Sequence, residues 1–149
     1  MRFTAGDYTA SQALTVIEDP RVTKSGVTDE DLRAQFDHNM RVRDLVSEAN
    51  HAVARVRAAQ KTVAQAQASD AQLIPKLNEL ASRLITPPIR YSKPELQTHI
   101  TYLYTLTNNS DQKIGQDAVE RYAVLRKELD ERVAELNHLL GPAVSTKTQ

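Results

Sequence analysis

Between Gly26 and Pro75 the chain has neither glycine nor proline, and within that stretch its apolar residues keep a single rhythm. Val42, Leu45, Ala49, Ala52, Val56, Ala59, Val63 and Ala66 follow one another at alternating steps of three and four, with Val46 and Val53 beside them. Residues so spaced share one side of an α-helix, and their sustained repeat is a heptad seam. The seam predicts one continuous helix over about 28–68. Thr28 is its natural N-cap, and Asp29, Glu30 and Asp31 place negative charge on the positive helix end. Such a helix is about 60 Å long at about 1.5 Å per residue. Half of the seam is alanine, so whatever covers it must approach closely.

Three shorter helices follow after the polar connector 67–72. Leu73, Leu77, Leu80 and Leu84 mark one face of the second, with Ile74, Ala81 and Ile85 beside it and Pro75 in its first turn. Pro87-Pro88 predicts an extended linker. Ser92 and Glu95 then form a capping box for the third helix, with Pro94 in its first turn and Leu96, Ile100 and Leu103 as its stripe, flanked by Tyr102 and Tyr104. The fourth runs from Asp117 to Leu140, burying Tyr122, Leu125, Leu129, Val133, Leu136 and Leu140, with Glu128 and Arg132 as an i,i+4 ion pair. Gly141-Pro142 stops it, and 142–149 is a frayed tail. The predicted fold is mainly α: an antiparallel helical bundle of one long and three shorter helices over 21–141. Leu45, Val56, Leu77, Leu103, Leu129 and Val133 are expected in its core.

The front of the chain differs. Residues 2–17 read as two extended pieces around Ala5-Gly6-Asp7, a short β-hairpin within 1–20. In its second half Leu14 and Val16 point one way and Thr15 and Ile17 the other, until Asp19-Pro20 stops the strand. The stretch 19–26 reads as a polar connector. The long helix outreaches its neighbours, so its Leu32, Phe36 and Met40 end is expected to meet the hairpin.

Composition removes whole classes of chemistry. The absence of Cys excludes disulfides, thiol catalysis and thiolate metal sites. Lys plus Arg is 19 and Asp plus Glu is 19, which argues against nucleic acid as a partner, since phosphate binding needs a basic surplus. No stretch approaches the roughly 20 apolar residues of a membrane span. His38, His51, His99 and His138 form no H-E-x-x-H pair, and no two are four residues apart. His99 lies on the third helix's stripe as a partly buried structural histidine. His138 sits where a cation suits the end of the fourth helix. Arg41, Arg43, Arg55 and Arg57 alternate with Asp44 and Glu48 on a solvated face. Asn108 to Ser110 fits a glycosylation sequon but reads better as a turn after a helix. The carboxylates follow no two-sided glycosidase pattern. No catalytic residue, cofactor site or metal site is assigned.

Three segments together resemble a known family. The strand exit Q-x-L-x-V-x-x-DPR spans Gln12 to Arg21, L-x-x-QF followed by VRD spans Leu32 to Asp44, and DQ-x-x-G-x-DA-x-ERY spans Asp111 to Tyr122. They are similar to the C-terminal region of bacterial proteins with sortilin-type, Asp-box β-propellers, labelled BNR-repeat glycosyl hydrolases. The resemblance runs over most of 12–140. It implies that the hairpin is the tail of a β-sandwich module and that the parent protein is periplasmic or secreted. The chain departs from that family in having no Asp-box S-x-D-x-G-x-T-W and no Trp, so no glycan chemistry transfers to a residue here. The reading that follows is a non-catalytic helical structural or interaction module, whose partner is the propeller or sandwich part of a parent or of another protein. Two alternatives stand beside it: an accessory part of a glycosyl hydrolase-like enzyme, and a self-associating coiled coil forming a homo-oligomer.

Overall fold

The computed structural model describes residues 1–65 and 73–141. Their element order is β1 (Arg2–Ala5), β2 (Tyr8–Ser11), α1 (Pro20–Lys24), α2 (Asp29–Gln65), α3 (Leu73–Leu84), α4 (Leu96–Asn108) and α5 (Gln116–Leu140). The seam forms one unbroken helix of 37 residues, about 55 Å long. Ala66, the connector 67–72, Pro142 and the tail 143–149 lie outside the described residues. At the start of α2 the Thr28 hydroxyl accepts the Asp31 N–H at 3.2 Å, and the Asp31 carboxylate accepts the Thr28 N–H at 3.1 Å. This is a reciprocal cap with Asp in the place usually held by Glu or Gln.

The helices stand in three columns. Gln97 at the start of α4 donates to Asn50 at 2.7 Å, while Thr107 at its end accepts from Gln35. So α4 runs antiparallel to the front of α2. α3 covers the rear of α2, with Gln60 donating to Asn78 at 2.8 Å. α5 returns alongside, Arg126 meeting Glu48 at 2.6 Å and Arg55 meeting Asn137 at 2.9 Å further on. Two helices of 12 and 13 residues, placed end to end, thus solve the length mismatch that the 37-residue α2 creates. Arg83 on α3 ties this column to Glu135 on α5 at 2.6 Å.

The core between the columns is aliphatic. Val42, Leu45, Ala49, Ala52, Val53 and Val56 of α2 meet Leu77, Leu80 and Leu84, then Leu96, Ile100 and Leu103, then Leu125, Leu129 and Leu136. The expected core residues are buried except Val133, which is half-buried at its margin. Leu140, expected on the buried face of α5, is 37% exposed; Leu139 packs against the core instead. α5 ends at Gly141, whose φ of 79° suits glycine. Arg132 pairs with Glu135 at 3.2 Å and lies near Glu131, not Glu128.

The link between α3 and α4 is turned, not extended. Ile89 N–H reaches Pro87 O at 2.8 Å and Ser92 N–H reaches Ile89 O at 3.0 Å. The expected capping box fails because its serine is used elsewhere: the Ser92 hydroxyl donates to Pro87 O at 2.8 Å. Glu95 becomes the N-cap without a side-chain bond, Pro94 stays outside the helix, and the Thr86 hydroxyl accepts the Glu95 N–H at 2.8 Å.

At the N-terminus β1 and β2 pair antiparallel, Arg2 facing Ser11 and Ala5 facing Tyr8, around Gly6 at φ 57°. Residues 12–19 are neither strand nor helix. The alternation at Leu14 to Ile17 lacks the partner strand that would make it one. Asp19-Pro20 starts a helix where a polar connector was expected: Asp19 caps α1 by accepting the Arg21 N–H at 2.9 Å, and Pro20 takes the first helical position, where its fixed φ is an advantage. Among the described residues neither strand packs against a helix. The expected meeting of the hairpin with the Leu32, Phe36 and Met40 end of α2 does not occur, and Phe36 is 63% exposed.

Candidate functional site at the polar end of the bundle

Followed backwards from Val42, the three-four spacing of the α2 seam passes through His38 and Gln35. Both are buried, at 2% and 6% exposed. The aliphatic seam therefore turns polar over its first turns, opposite the end of α4 and the loop 109–115.

Gln35 is fully engaged there. Its amide donates to Thr107 O and Ser110 O, each at 2.7 Å, and its carbonyl accepts the Gln112 N–H at 3.1 Å. Asn39 also donates to Thr107 O, at 3.0 Å. One side chain thus takes up carbonyls that the end of α4 leaves without helical partners and fixes the loop leading to α5. Lys113 in that loop lies 3.8 Å from Asp31. The Thr28 backbone and hydroxyl bonds, with Lys113 behind them, hold the Asp31 carboxyl below the usual carboxylate range.

His38 is the opposite case. Neither ring nitrogen has a hydrogen-bond partner. Its ring meets Tyr122 of α5 edge-on at 6.0 Å, and Arg41 stands over the same tyrosine at 5.7 Å. Burial, and then the Arg41 charge, push the imidazole below the ordinary histidine range. A buried histidine whose imidazole is held below its ordinary range responds to acid.

Two depressions flank Phe36. One, of about 430 Å³, brings Glu18, Asp29 and Asp37 around Arg33. The Asp29 carboxyl, hydrogen-bonded to Glu18, holds Glu18 above the usual carboxylate range. These two groups touch each other, whereas two-sided glycoside hydrolysis needs carboxyls about 5–10 Å apart. The other, of about 660 Å³, includes Gln35, Asn39, Tyr104 and Asn108. A third groove of about 330 Å³ lies between α4 and α5, with His99, Asp117 and Arg121 at its polar positions and Leu103, Leu106 and Ile114 among its apolar ones.

The structure scatters most of the other candidates. His51 and His138 are exposed, and His99 is half-buried on the α4 stripe as expected. Arg41 and Arg57 are on the surface, and Arg43 binds its neighbour Asp44 at 2.6 Å. Arg55 departs from the solvated face: it donates to Asn137 and, at 2.9 Å, to Gly141 O, closing the end of α5. Among the described residues no group of three His, Asp or Glu side chains is placed to hold a metal ion, and no helix is long and apolar enough to cross a membrane. The apolar seam starts at Val42, but its spacing continues backwards through His38 and Gln35, whose polarity hides them among surface residues in the sequence.

No protein-family model, curated protein or solved structure matches this chain.

Proposed function

We propose that the chain is a non-catalytic helical interaction module that meets its neighbour through the N-terminal arm, residues 1–19. One observation carries this reading. The arm leaves Phe3, Tyr8, Leu14, Val16 and Ile17 at 59%, 63%, 69%, 87% and 80% exposure; its strands touch no helix of the bundle, and near its end Glu18 meets Asp29 of α2. Scattered exposed apolar residues are ordinary; a run of them on a segment whose strands pack on no helix marks an interaction site. The bundle, by contrast, closes on itself along all three columns. The resemblance to Asp-box propeller proteins supports a β-sandwich as the neighbour and an exported parent as the setting.

An NMR titration tests the proposal. The isotope-labelled chain is mixed with a purified propeller–sandwich fragment of an Asp-box family protein. Shifts confined to residues 2–17 are expected. Shifts on α3 to α5 alone, or none, would overturn the reading.

A further inference from the structure

We propose that the first turns of α5, residues 116–124, are a flap that the buried His38 ring latches to α2 and that acid releases. The segment is held less firmly than the rest of its helix. The chain is fixed on either side of it: Gln35 accepts the Gln112 N–H before it, and Arg126 meets Glu48 at 2.6 Å after it. Between those points the first buried residue of α5 is Leu125. Ala118 and Tyr122 reach the core only half-buried. On the other side the groove of about 330 Å³ opens between the flap and α4. Toward α2 the flap sets Tyr122, whose ring meets His38 at 6.0 Å while Arg41 stands over it at 5.7 Å. A segment with so few buried contacts opens without the rest of its domain.

His38 makes that contact conditional. Its ring is 2% exposed, and neither nitrogen has a hydrogen-bond partner. Neutral, it packs against Tyr122 as an aromatic ring. Charged, it carries two N–H donors with nothing to accept them, and burying an unpaired charge is costly. The surrounding elements do little to relieve that cost. α2 places Arg41 beside the ring and Asp37 in the depression around Arg33. α5 presents Tyr122, with Asp117 and Arg121 on the groove instead. α4 contains no charged residue; its titratable groups are His99, Tyr102 and Tyr104. The loop 109–115 carries Asp111 and Lys113, both exposed. Burial, and then Arg41, hold the closed-state imidazole below its ordinary range. Opening the flap gives the ring water as a partner and restores its ordinary value, about 6.5. Protons therefore favour the open state. The latch is fully closed above that ordinary value and is released as pH falls from there through the lower closed-state value.

Amide hydrogen exchange of the full chain, read as protection factors at pH 7.5 and pH 5, tests this. Protection of 116–124 should fall about 3- to 30-fold on acidification, the upper figure being the limit at pH 5 for a group whose ordinary value is about 6.5. Residues 107–112, clamped by Gln35, and 129–140 should change by less than about twofold. His38→Phe keeps a buried ring and removes the titration, so its flap should stay protected at both pH values. Arg41→Gln removes the neighbouring cation and should shrink the response. His99→Gln removes the histidine across the groove and should leave the response within about twofold of the parent chain. In an NMR titration the His38 ring should change charge below its ordinary value. An equal loss of protection along the whole bundle would overturn the inference. So would a response that survives His38→Phe, one that vanishes in His99→Gln, or a His38 ring that titrates at or above its ordinary value. Should His38→Phe fail to fold, the comparison of the three segments and Arg41→Gln decide: an unchanged flap, or a response undiminished by Arg41→Gln, sinks the latch.

Discussion

The two ends of α2 are held in different ways. From Val42 to Val56 its seam is aliphatic and dry, and alanines at positions 49 and 52 let α3, α4 and α5 close in. From Asp31 to Asn39 it is polar, and a single glutamine replaces apolar packing with three hydrogen bonds. Hydrophobic burial is non-directional and forgiving of angle, so it suits the long stretch where helices run side by side. Hydrogen bonds are directional, so they suit the end where a helix terminus and a loop must be held at one spot. The comparison teaches that a heptad seam need not be apolar to its end for its helix to be covered there.

The largest effect should come from the dry end. Leu129 is fully buried, and Leu129→Ala should cost about 2–5 kcal/mol in denaturant unfolding, the range for large-to-small core changes. A loss below about 0.5 kcal/mol, the size of a surface effect, would place that face of α5 in solvent.

At the polar end the matching change is Gln35→Leu, which keeps the bulk and removes every hydrogen bond. Ser110 O and Gln112 N–H then lose their partner, while Thr107 O keeps Asn39, and the expected cost is about 1–3 kcal/mol. Amide exchange should accelerate first over 107–115. If Gln35→Leu stabilises the chain, the polar end is only a seam awaiting an apolar residue, and the contrast between the two ends collapses.

Acid separates the ends further. His38 is buried without a hydrogen bond, and its imidazole is held below its ordinary range by burial and by Arg41. Tyr122 is the titratable group that α5 presents to it, and Arg41 is the charged group acting on it. The unfolded chain therefore binds the proton more readily than the folded one. The stability held by neutral His38 is fully present above the unfolded value, about 6.5, and is lost as pH falls from there through the lower folded value. Asp31 acts in a lower window: its contribution is present above the unfolded carboxylate value and is lost as pH falls through its depressed folded one. Thermal melts of the chain and of His38→Phe between pH 7.5 and 5 should diverge, the variant losing less. Parallel curves would assign the acid response to other groups.

Much of this was legible because helices are periodic. The seam, the leucine stripes of α3 and α4, and the caps at Thr28 and Gly141 follow from spacing and local chemistry. The failures share one cause, competition for a partner. Ser92 could cap α4, but Pro87 O takes its hydroxyl. Glu128 could pair with Arg132, but Glu135 is in reach of it. Asp19-Pro20 fits a strand end and a helix start equally, and with no strand beside 13–17 the helix forms. The polar end lay hidden because a glutamine and a histidine at seam positions resemble surface residues until α4 and its loop are placed over them.

The smallest effect should follow from the change that looks most drastic. The front of α2 is sealed by Gln35 and Asn39, not by the arm, and neither strand touches a helix. Deleting residues 1–17 should therefore move the unfolding free energy of the bundle by no more than about 0.5 kcal/mol, as for changes away from buried features. The arm's amides should exchange far faster than those of 42–65, since a two-stranded hairpin packed on nothing opens without unfolding the rest. A propeller–sandwich fragment should narrow that contrast at any concentration that saturates binding. A deletion costing more than about 1 kcal/mol would show that the arm folds back onto Phe36 in solution, and the two ends of α2 would then be covered by the same means after all.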